Sequence, residues 1–305
     1  MSGMKSFHRA ILPGIVALTL FASPLCAQES YKSPEDAAAA LAAAVKAGPK
    51  DILKVLGRAA EDIVSSGDEV ADNDIRARFT SMYEAKHGIK AEGNKTATLM
   101  LGADDFPFPI PMVNTKAGWE FDTDEGRIEV LRRCIGRNEL DAIQTALAYV
   151  DAQNEYADKD RGEGVGVYAQ RFVSSPGKKD GLFWRDDSDP SPLGALAAQA
   201  SKEGYEAADV GPTPYHGYYF HILKGQGRDA PGGTLNYVVK GRMIGGFALI
   251  AWPAEYGNSG VMTFLVNHTG TVFQKDLGKR TEFIAERTTL FDPDETWKKV
   301  DAAKP

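Results

Sequence analysis

The segment GRMIGGFALIAWPAEYGNSGVMTFLVNHTGTVFQKDLG spans residues 241–278 and carries the clearest structural pattern of the chain. Within it, Met243–Trp252 is an apolar run typical of a strand in the middle of a sheet, and Val261–Asn267 and Thr271–Phe273 are shorter strand-like runs. Gly257-Asn258-Ser259-Gly260 consists of residue types that form tight turns. Because short turns join strands that run in opposite directions, this segment predicts an antiparallel sheet.

A long helical pattern precedes the sheet, from Thr123 to about Asp160, and Gly136 is expected to interrupt it. Asn138 is a residue type that caps helices, so we expect a second helix to begin there. The apolar residues of this second helix form one stripe: Leu140, Ile143, Leu147 and Val150. Such a stripe is expected to pack on the sheet, so residues 123–305 are predicted to form one α+β domain.

Residues 28–122 are predicted to form a separate α+β domain of helices followed by an antiparallel sheet. Ser33 can cap the first helix, and Pro34 stands at the first helical position, where proline is favoured. The helical patterns cover Pro34–Ala47, Asp51–Leu56 and Asp74–Lys86, the last with Ile75, Phe79, Met82 and Tyr83 on its buried side. The strand-like runs are Ile89–Glu92, Thr96–Leu101, Phe108–Val113 and Gly118–Phe121. This order of elements is similar to small cone-shaped folds of the nuclear-transport-factor-2-like kind.

The first 27 residues have the features of a secretory signal peptide. Lys5 and Arg9 give it a positive start, and Ile11–Phe21 is apolar but too short for a permanent transmembrane helix. Cleavage after Ala27 would leave a periplasmic or secreted chain without an integral membrane span. The alternative is a lipoprotein anchored through Cys26, although the leucine before it is larger than lipoprotein processing favours.

The composition is that of a folded, acidic protein, with 43% hydrophobic and 10% aromatic residues and a net charge of −7. The aromatic content excludes disorder as the main state, and the acidic balance disfavours binding to nucleic acid. Signal cleavage would leave Cys134 as the only cysteine, which excludes an intramolecular disulfide. Its helix-like surroundings favour a small buried side chain over a reactive thiol.

No set of residues in the sequence converges on catalysis, so we predict no catalytic residue, no metal and no cofactor. His216 and His221 lie five residues apart in a strand-like run, and an odd separation places two side chains on opposite faces of a strand. Ser259 lacks the strand–turn–helix context of a hydrolase nucleophile. The acidic loop 158–163 has too few alternating oxygen ligands for a typical calcium loop, and calcium binding there is left open.

The aromatic residues of the C-terminal half are expected to gather near one end of the sheet. Aromatic side chains with a few polar groups are typical of grooves that bind a small molecule or a protein. The predicted ligand-binding residues are Tyr215, His216, Tyr218, Trp252 and Tyr256.

Several long runs resemble a bacterial exported family named domain of unknown function 2950, which has no established activity. The resemblance covers nearly all of the chain after the signal peptide. Besides residues 241–278, the runs are FPFPIP (106–111), GWEFD (118–122), RRCIGRNELDAIQTALAYVDAQNEYA (132–157), YAQRFVSSPGKKDGLFW (168–184), SPLGALAAQA (191–200) and PYHGYYFHIL (214–223).

Residues 138–278 also resemble the globular heads of type IV pilins and type II secretion pseudopilins. The shared features are a helix that ends in Asn-Glu-Tyr-Ala, a glycine-containing loop, and strands with Ala-Trp-Pro-Ala and Met-Thr-Phe-Leu-Val-Asn. The resemblance implies a long helix packed on an antiparallel sheet. The filament-forming helix of pilins begins with an N-terminal apolar segment, whereas here the helix lies in the middle of the chain, so only the head fold is implied.

These observations favour an exported, non-catalytic module that binds a small molecule or protein in the periplasm or at the envelope. The alternative is a periplasmic hydrolase that uses His216 or His221 with a carboxylate such as Asp180 or Glu255. A third hypothesis, an accessory partner of a secretion or pilus system, follows only from the resemblance to pilin heads.

Overall fold

The computed structural model describes residues 28–64, 69–186, 188–203 and 214–300. The predicted signal peptide and Cys26 lie outside these residues. Two compact units make up the chain, Met1–Arg127 and Ile128–Pro305. Both combine helices with antiparallel sheets, so the α+β class predicted from the sequence is confirmed.

The N-terminal unit has four helices followed by five strands among its described residues. The helices are α1 (Pro34–Ala47), α2 (Pro49–Leu56), α3 (Glu61–Val64) and α4 (Glu69–Ala85). The strands are β1 (His87–Glu92), β2 (Thr96–Leu101), β3 (Phe106–Pro107), β4 (Met112–Asn114) and β5 (Trp119–Phe121). The sheet has the order β1-β2-β4-β5, and β3 pairs with β2.

Local sequence explains where the elements of this unit begin and end. The hydroxyl of Ser33 accepts a hydrogen bond from the backbone N–H of Asp36 at 3.0 Å, which caps α1 as predicted. Only Met112 and Val113 of the predicted strand Phe108–Val113 lie in a strand, β4, and β3 ends just before the predicted start. Prolines alternate at positions 107, 109 and 111, and proline cannot donate to a neighbouring strand. The prediction that Ile75 is buried was wrong, since it is 67% exposed on α4.

In its described residues, the C-terminal unit contains the rest of α5 (Thr123–Ala157), two shorter helices and its own sheets. The shorter helices are α6 (Gly194–Lys202) and α7 (Thr281–Ala285). The strands are β6 (Tyr218–Leu223), β7 (Gly225–Gln226), β8 (Leu235–Asn236), β9 (Val238–Val239), β10 (Arg242–Met243), β11 (Ala248–Pro253), β12 (Met262–Asn267), β13 (Val272–Asp276) and β14 (Lys298–Lys299). The main sheet has five antiparallel strands in the order β14-β13-β12-β11-β6, and β7–β8 and β9–β10 form two small ribbons.

The apolar run at Met243–Trp252 contains two strands rather than one. Gly246, with φ +131°, separates β10 from β11, and a non-glycine residue would be strained in that conformation. Every residue of β11 is buried, which agrees with its predicted place inside the sheet.

The helix α5 is continuous through Gly136, so the predicted interruption there was wrong. Asn138 is not a cap, because its side-chain amide donates to the backbone oxygen of Ser259 at 2.9 Å. Glu139 accepts hydrogen bonds from the N–H groups of Val261 and Met262, both at 3.0 Å. The predicted stripe is correct for Ile143 and Val150, which are buried, but Leu140 is 64% exposed.

Leu140 is exposed because polar side chains hold this part of the helix to the sheet. Consecutive helical residues are about 100° apart around the axis, so Leu140 points away from the direction in which Glu139 meets β12.

No helix among the described residues has the length and apolar character needed to cross a membrane.

Candidate functional site

His216 lies in a tight turn before β6 and not in the strand itself. The backbone N–H groups of Tyr215 and Tyr218 donate to each other's carbonyl oxygens at 2.8 and 3.0 Å. Positive φ angles at His216 (+47°) and Gly217 (+72°) are typical of the type I′ turn that joins paired strands. The prediction that His216 and His221 share one strand was therefore wrong, because His216 lies in this turn and the strand begins only at Tyr218.

The imidazole of His216 stands between two carboxylates. Its Nε2 is 3.2 Å from Glu203 Oε2, just after the end of α6, and its Nδ1 is 3.6 Å from Asp141 Oδ2 on α5. The ring also contacts that of Tyr215, with 4.1 Å between the centroids. His216 thus connects the turn with α5 and the end of α6 through the contacts of its two ring nitrogens.

The carboxylates proposed as partners of a catalytic histidine have other contacts. Asp180 accepts hydrogen bonds from the N–H and the hydroxyl of Ser175 at 2.7 and 2.9 Å. The backbone hydrogen bond is the main reason that the pKa of Asp180 is lowered. Glu255 accepts from the side-chain amide of Asn258 at 2.7 Å. The pKa of His221 is lowered by partial burial and by Lys224.

Ser259 holds the turn 257–260 against the turn that contains His216. Its hydroxyl donates to the carbonyl oxygen of Gly217 at 2.8 Å and accepts the N–H of Glu255 at 2.9 Å. The approach is close, since a Cβ on Gly217 would lie 2.9 Å from the Cβ of Ser259. This hydroxyl is engaged in positioning two loops, as expected for a residue of a tight turn.

The five residues proposed as a ligand site do not line one surface. Trp252 pairs with Tyr219 across β6 and β11, and their rings are 5.8 Å apart. Because side chains alternate along a strand, Tyr218 points to the opposite face from Trp252. Tyr256 lies in a loop and donates to Asp276 at 3.3 Å, which raises the pKa of Tyr256. Tyr215 is the member of this set that lines the groove described next.

A groove of about 1140 Å³ runs between the loop segment 172–186, α6 and Pro214–Tyr215. Its apolar lining consists of Phe172, Val173, Pro176, Phe183, Trp184, Leu193, Leu196, Ala197, Ala200, Pro214 and Tyr215. Its polar lining consists of Ser174, Ser175, Lys178, Lys179, Arg185, Asp186 and Ser201. A space of this size exceeds the roughly 300–1,000 Å³ of common small-molecule pockets.

The helix α6 forms one wall of this groove with a half-exposed apolar face. Leu193, Leu196, Ala197 and Ala200 recur at helical spacing and all line the groove. None of the residues of α6 is buried. The apolar residues of α6 itself, Leu196, Ala197 and Ala200, are therefore turned toward the groove, whereas Leu193 before the helix also packs on the core.

An ion-pair cluster fixes the loop that forms the opposite wall. Lys179 donates to Asp186 at 2.9 Å and to Asp189 at 2.8 Å. These hydrogen bonds raise the pKa of Lys179. The Ser188 hydroxyl and Lys179 lower the pKa of Asp186, and Lys179 lowers that of Asp189. All three groups are thus held in their charged forms.

Trp184 is held in the groove wall from two sides. Its indole N–H donates to the backbone oxygen of Asp189 at 2.7 Å, and the guanidinium of Arg161 lies 4.7 Å from its ring centroid. Arg161 also pairs with Asp189 at 3.1 Å, while its Nε and Nη2 are buried and have no hydrogen-bond partner among the described residues. The guanidinium is therefore bound mainly by the indole ring and one carboxylate.

The acidic loop 158–163 uses its central carboxylate for its own backbone. Asp160 accepts the N–H groups of Gly162 and Gly164, both at 2.8 Å, and these bonds lower its pKa. In the part of the chain that the structure describes, no three His, Cys, Asp or Glu side chains are grouped to hold a metal ion.

Sequence reasoning missed most of the groove because its walls come from two separate segments. The two wall segments lie within the runs 168–184 and 191–200, which are separate in the sequence. The sequence did offer one signal of the groove. This signal was a helix with small residues whose apolar side had no place in the predicted core.

The family model described as "Protein of unknown function (DUF2950)" matches residues 28–300. No curated protein and no solved structure matches the chain. The resemblances to pilin heads and to cone-shaped folds therefore stay predictions.

Proposed function

This chain belongs to the family of proteins of unknown function (DUF2950), and from this premise we propose that it is an exported, non-catalytic binding module of the cell envelope. The observation that carries the proposal is the groove between the loop segment 172–186 and α6. Its lining is mainly apolar and includes aromatic side chains, as in most sites that bind small molecules.

The contacts of His216 support binding over hydrolysis. A catalytic histidine uses one ring nitrogen to meet a carboxylate and keeps the other for the proton of a nucleophile. Here Nδ1 faces Asp141 and Nε2 faces Glu203, so carboxylates flank both nitrogens. Such an imidazole is suited to hold α6 beside α5 and the turn, which positions a wall of the groove.

Filling the groove tests this proposal. Ala197→Trp places an indole inside the groove, whereas Ala198→Trp places it on the exposed side of the same helix. We expect the unmodified protein and A198W to bind the neutral apolar dye Nile red saturably with similar Kd. A197W should bind at least about tenfold more weakly, which corresponds to about 1.4 kcal/mol. Fluorescence titration gives the Kd, and circular dichroism verifies that each variant folds.

Leu196→Gln is a milder second variant, since it keeps the side-chain length but removes apolar surface from the groove. It should also weaken dye binding. Equal Kd values for the unmodified protein, A197W and L196Q, or no saturable binding to any of them, would overturn the proposed site.

A further inference from the structure

We propose that this groove binds an amphiphile, a molecule with one apolar chain and one anionic head group. The inference rests on the proposed function, because it names the ligand class of the same groove. It follows from the charges at the groove, from its apolar floor and from the hydrogen bonds that its walls already make.

Among the described residues that line the groove, basic side chains outnumber acidic ones, although the chain is negative as a whole. Three of these lining residues are basic, Lys178, Lys179 and Arg185, and one is acidic, Asp186, whereas the chain carries a net charge of −7. Lys179 is neutralised by its two carboxylate partners. Lys178 and Arg185 are exposed, and neither makes an ion pair with another described residue. These two cations attract an anionic group.

The apolar part of the groove is suited to a hydrocarbon chain. Phe172, Phe183 and Leu193 line it without being buried, as do Leu196, Ala197 and Ala200 of α6. Covering such half-exposed surface stabilises a complex by about 25 cal/mol for each Å² removed from water. A hydrocarbon chain that lies along α6 would therefore bind by burying apolar surface, while the head group would bind by its charge.

The backbone groups of the loop wall leave little for a peptide strand to pair with. The N–H of Ser174 donates to Phe183 O at 2.9 Å, and the N–H of Phe183 donates to Phe172 O at 2.8 Å. The hydroxyls of Ser174 and Ser175 donate to Gly181 O and to Asp180. A strand added by a peptide needs unpaired backbone groups, and these wall groups are already bonded to each other.

A series of dodecyl compounds with one chain and different head groups tests the ligand class. Dodecanoate and dodecyl phosphate are anionic, dodecyl maltoside is neutral and dodecyltrimethylammonium is cationic. Each would displace Nile red from the protein below its micelle concentration. We expect both anions to bind at least about tenfold more tightly than the maltoside, with the cation weakest. The anion that binds more tightly then indicates the head group, a carboxylate if it is dodecanoate and a phosphate if it is dodecyl phosphate.

Reversing the charges of Lys178 and Arg185 tests whether these two residues cause the preference for anions. Lys178→Glu combined with Arg185→Glu should remove the preference for anions, so that dodecanoate and dodecyl phosphate bind no more tightly than the maltoside, each Kd being corrected for the variant's own affinity for Nile red. Lys90→Glu combined with Arg228→Glu gives the same change in net charge at exposed positions outside the groove lining, and this control should keep the preference.

Equal affinity for the anions and the maltoside would overturn the proposed ligand class but would not contradict the groove as a binding site. Failure of every dodecyl compound to displace bound dye would also overturn it, whereas failure of the dye to bind contradicts the proposed function.

Discussion

Single residues in this protein connect segments that are far apart in the sequence. Gln153 on α5 is fully buried, and its amide clamps one residue of the loop that follows the helix. Its Nε2 donates to Ala169 O at 2.8 Å, and its Oε1 accepts Ala169 N–H at 2.9 Å. The same Nε2 lies 3.0 Å from the hydroxyl oxygen of Tyr149. One side chain therefore satisfies both backbone groups of a buried loop residue.

Replacing Gln153 by leucine should destabilise the C-terminal unit by about 3 kcal/mol, because the backbone groups of Ala169 would be left buried without partners. Gln144→Leu on the exposed side of the same helix is the matched control and should change the free energy of unfolding by about 0.5 kcal/mol or less. Urea denaturation measures both. Similar midpoints for the two variants would show that the clamp contributes little.

Among the elements, α5 shows best how the rest of a fold overrides a local signal. Gly136 favours a break, yet the helix runs on, because the residues that follow this position are held by contacts with the sheet and the core. Glu139 binds the start of β12, and Ile143 is buried in the core. A glycine destabilises a helix by only about 1 kcal/mol relative to alanine. The stabilisation from these contacts exceeds that cost.

Gly136→Ala should therefore stabilise the protein by up to about 1 kcal/mol, because an added Cβ would meet nothing within 4 Å. Gly126→Ala on the same helix should be destabilising, because its Cβ would lie 2.7 Å from the side chain of Ile110. Thermal denaturation of the two variants compares identical changes in one helix. A loss of stability in G136A would contradict the continuity of α5.

The sequence predicted those elements whose causes are local. Ser33 and Pro34 mark the start of α1, and the apolar run before Pro253 contains the buried strand β11. It could not place His216, because the turn at residues 215–218 is fixed by Ser259, which is distant in the sequence. The groove depends on such long-range packing of loop and helix, so its position could not be derived from periodicity.

For the molecule as a whole, the proposed location rests on residues 1–27, which lie outside the described residues. The proposal of an envelope protein requires that residues 1–27 direct export and are then removed. An apolar run of the length of Ile11–Phe21 fits the central part of a signal peptide and is too short for a permanent span.

The mature protein should begin at Gln28 and be recovered from the periplasm or the medium when it is expressed in a bacterium with two membranes. Intact mass spectrometry measures the start of the chain. Ala27→Asp should leave uncleaved precursor, whereas Cys26→Ser should leave the mature mass unchanged. A mass that includes a lipid on Cys26 would instead establish the anchored form.

The lack of buried residues in α6 affects how selective the groove can be. A helix that adds little to the core can shift or unwind locally at low free-energy cost. Ligands with apolar chains of different thickness could thus be accommodated by small displacements of this helix. Discrimination would then come mainly from the rim, where Lys178 and Arg185 tolerate some head groups and repel others, while chain length would matter less.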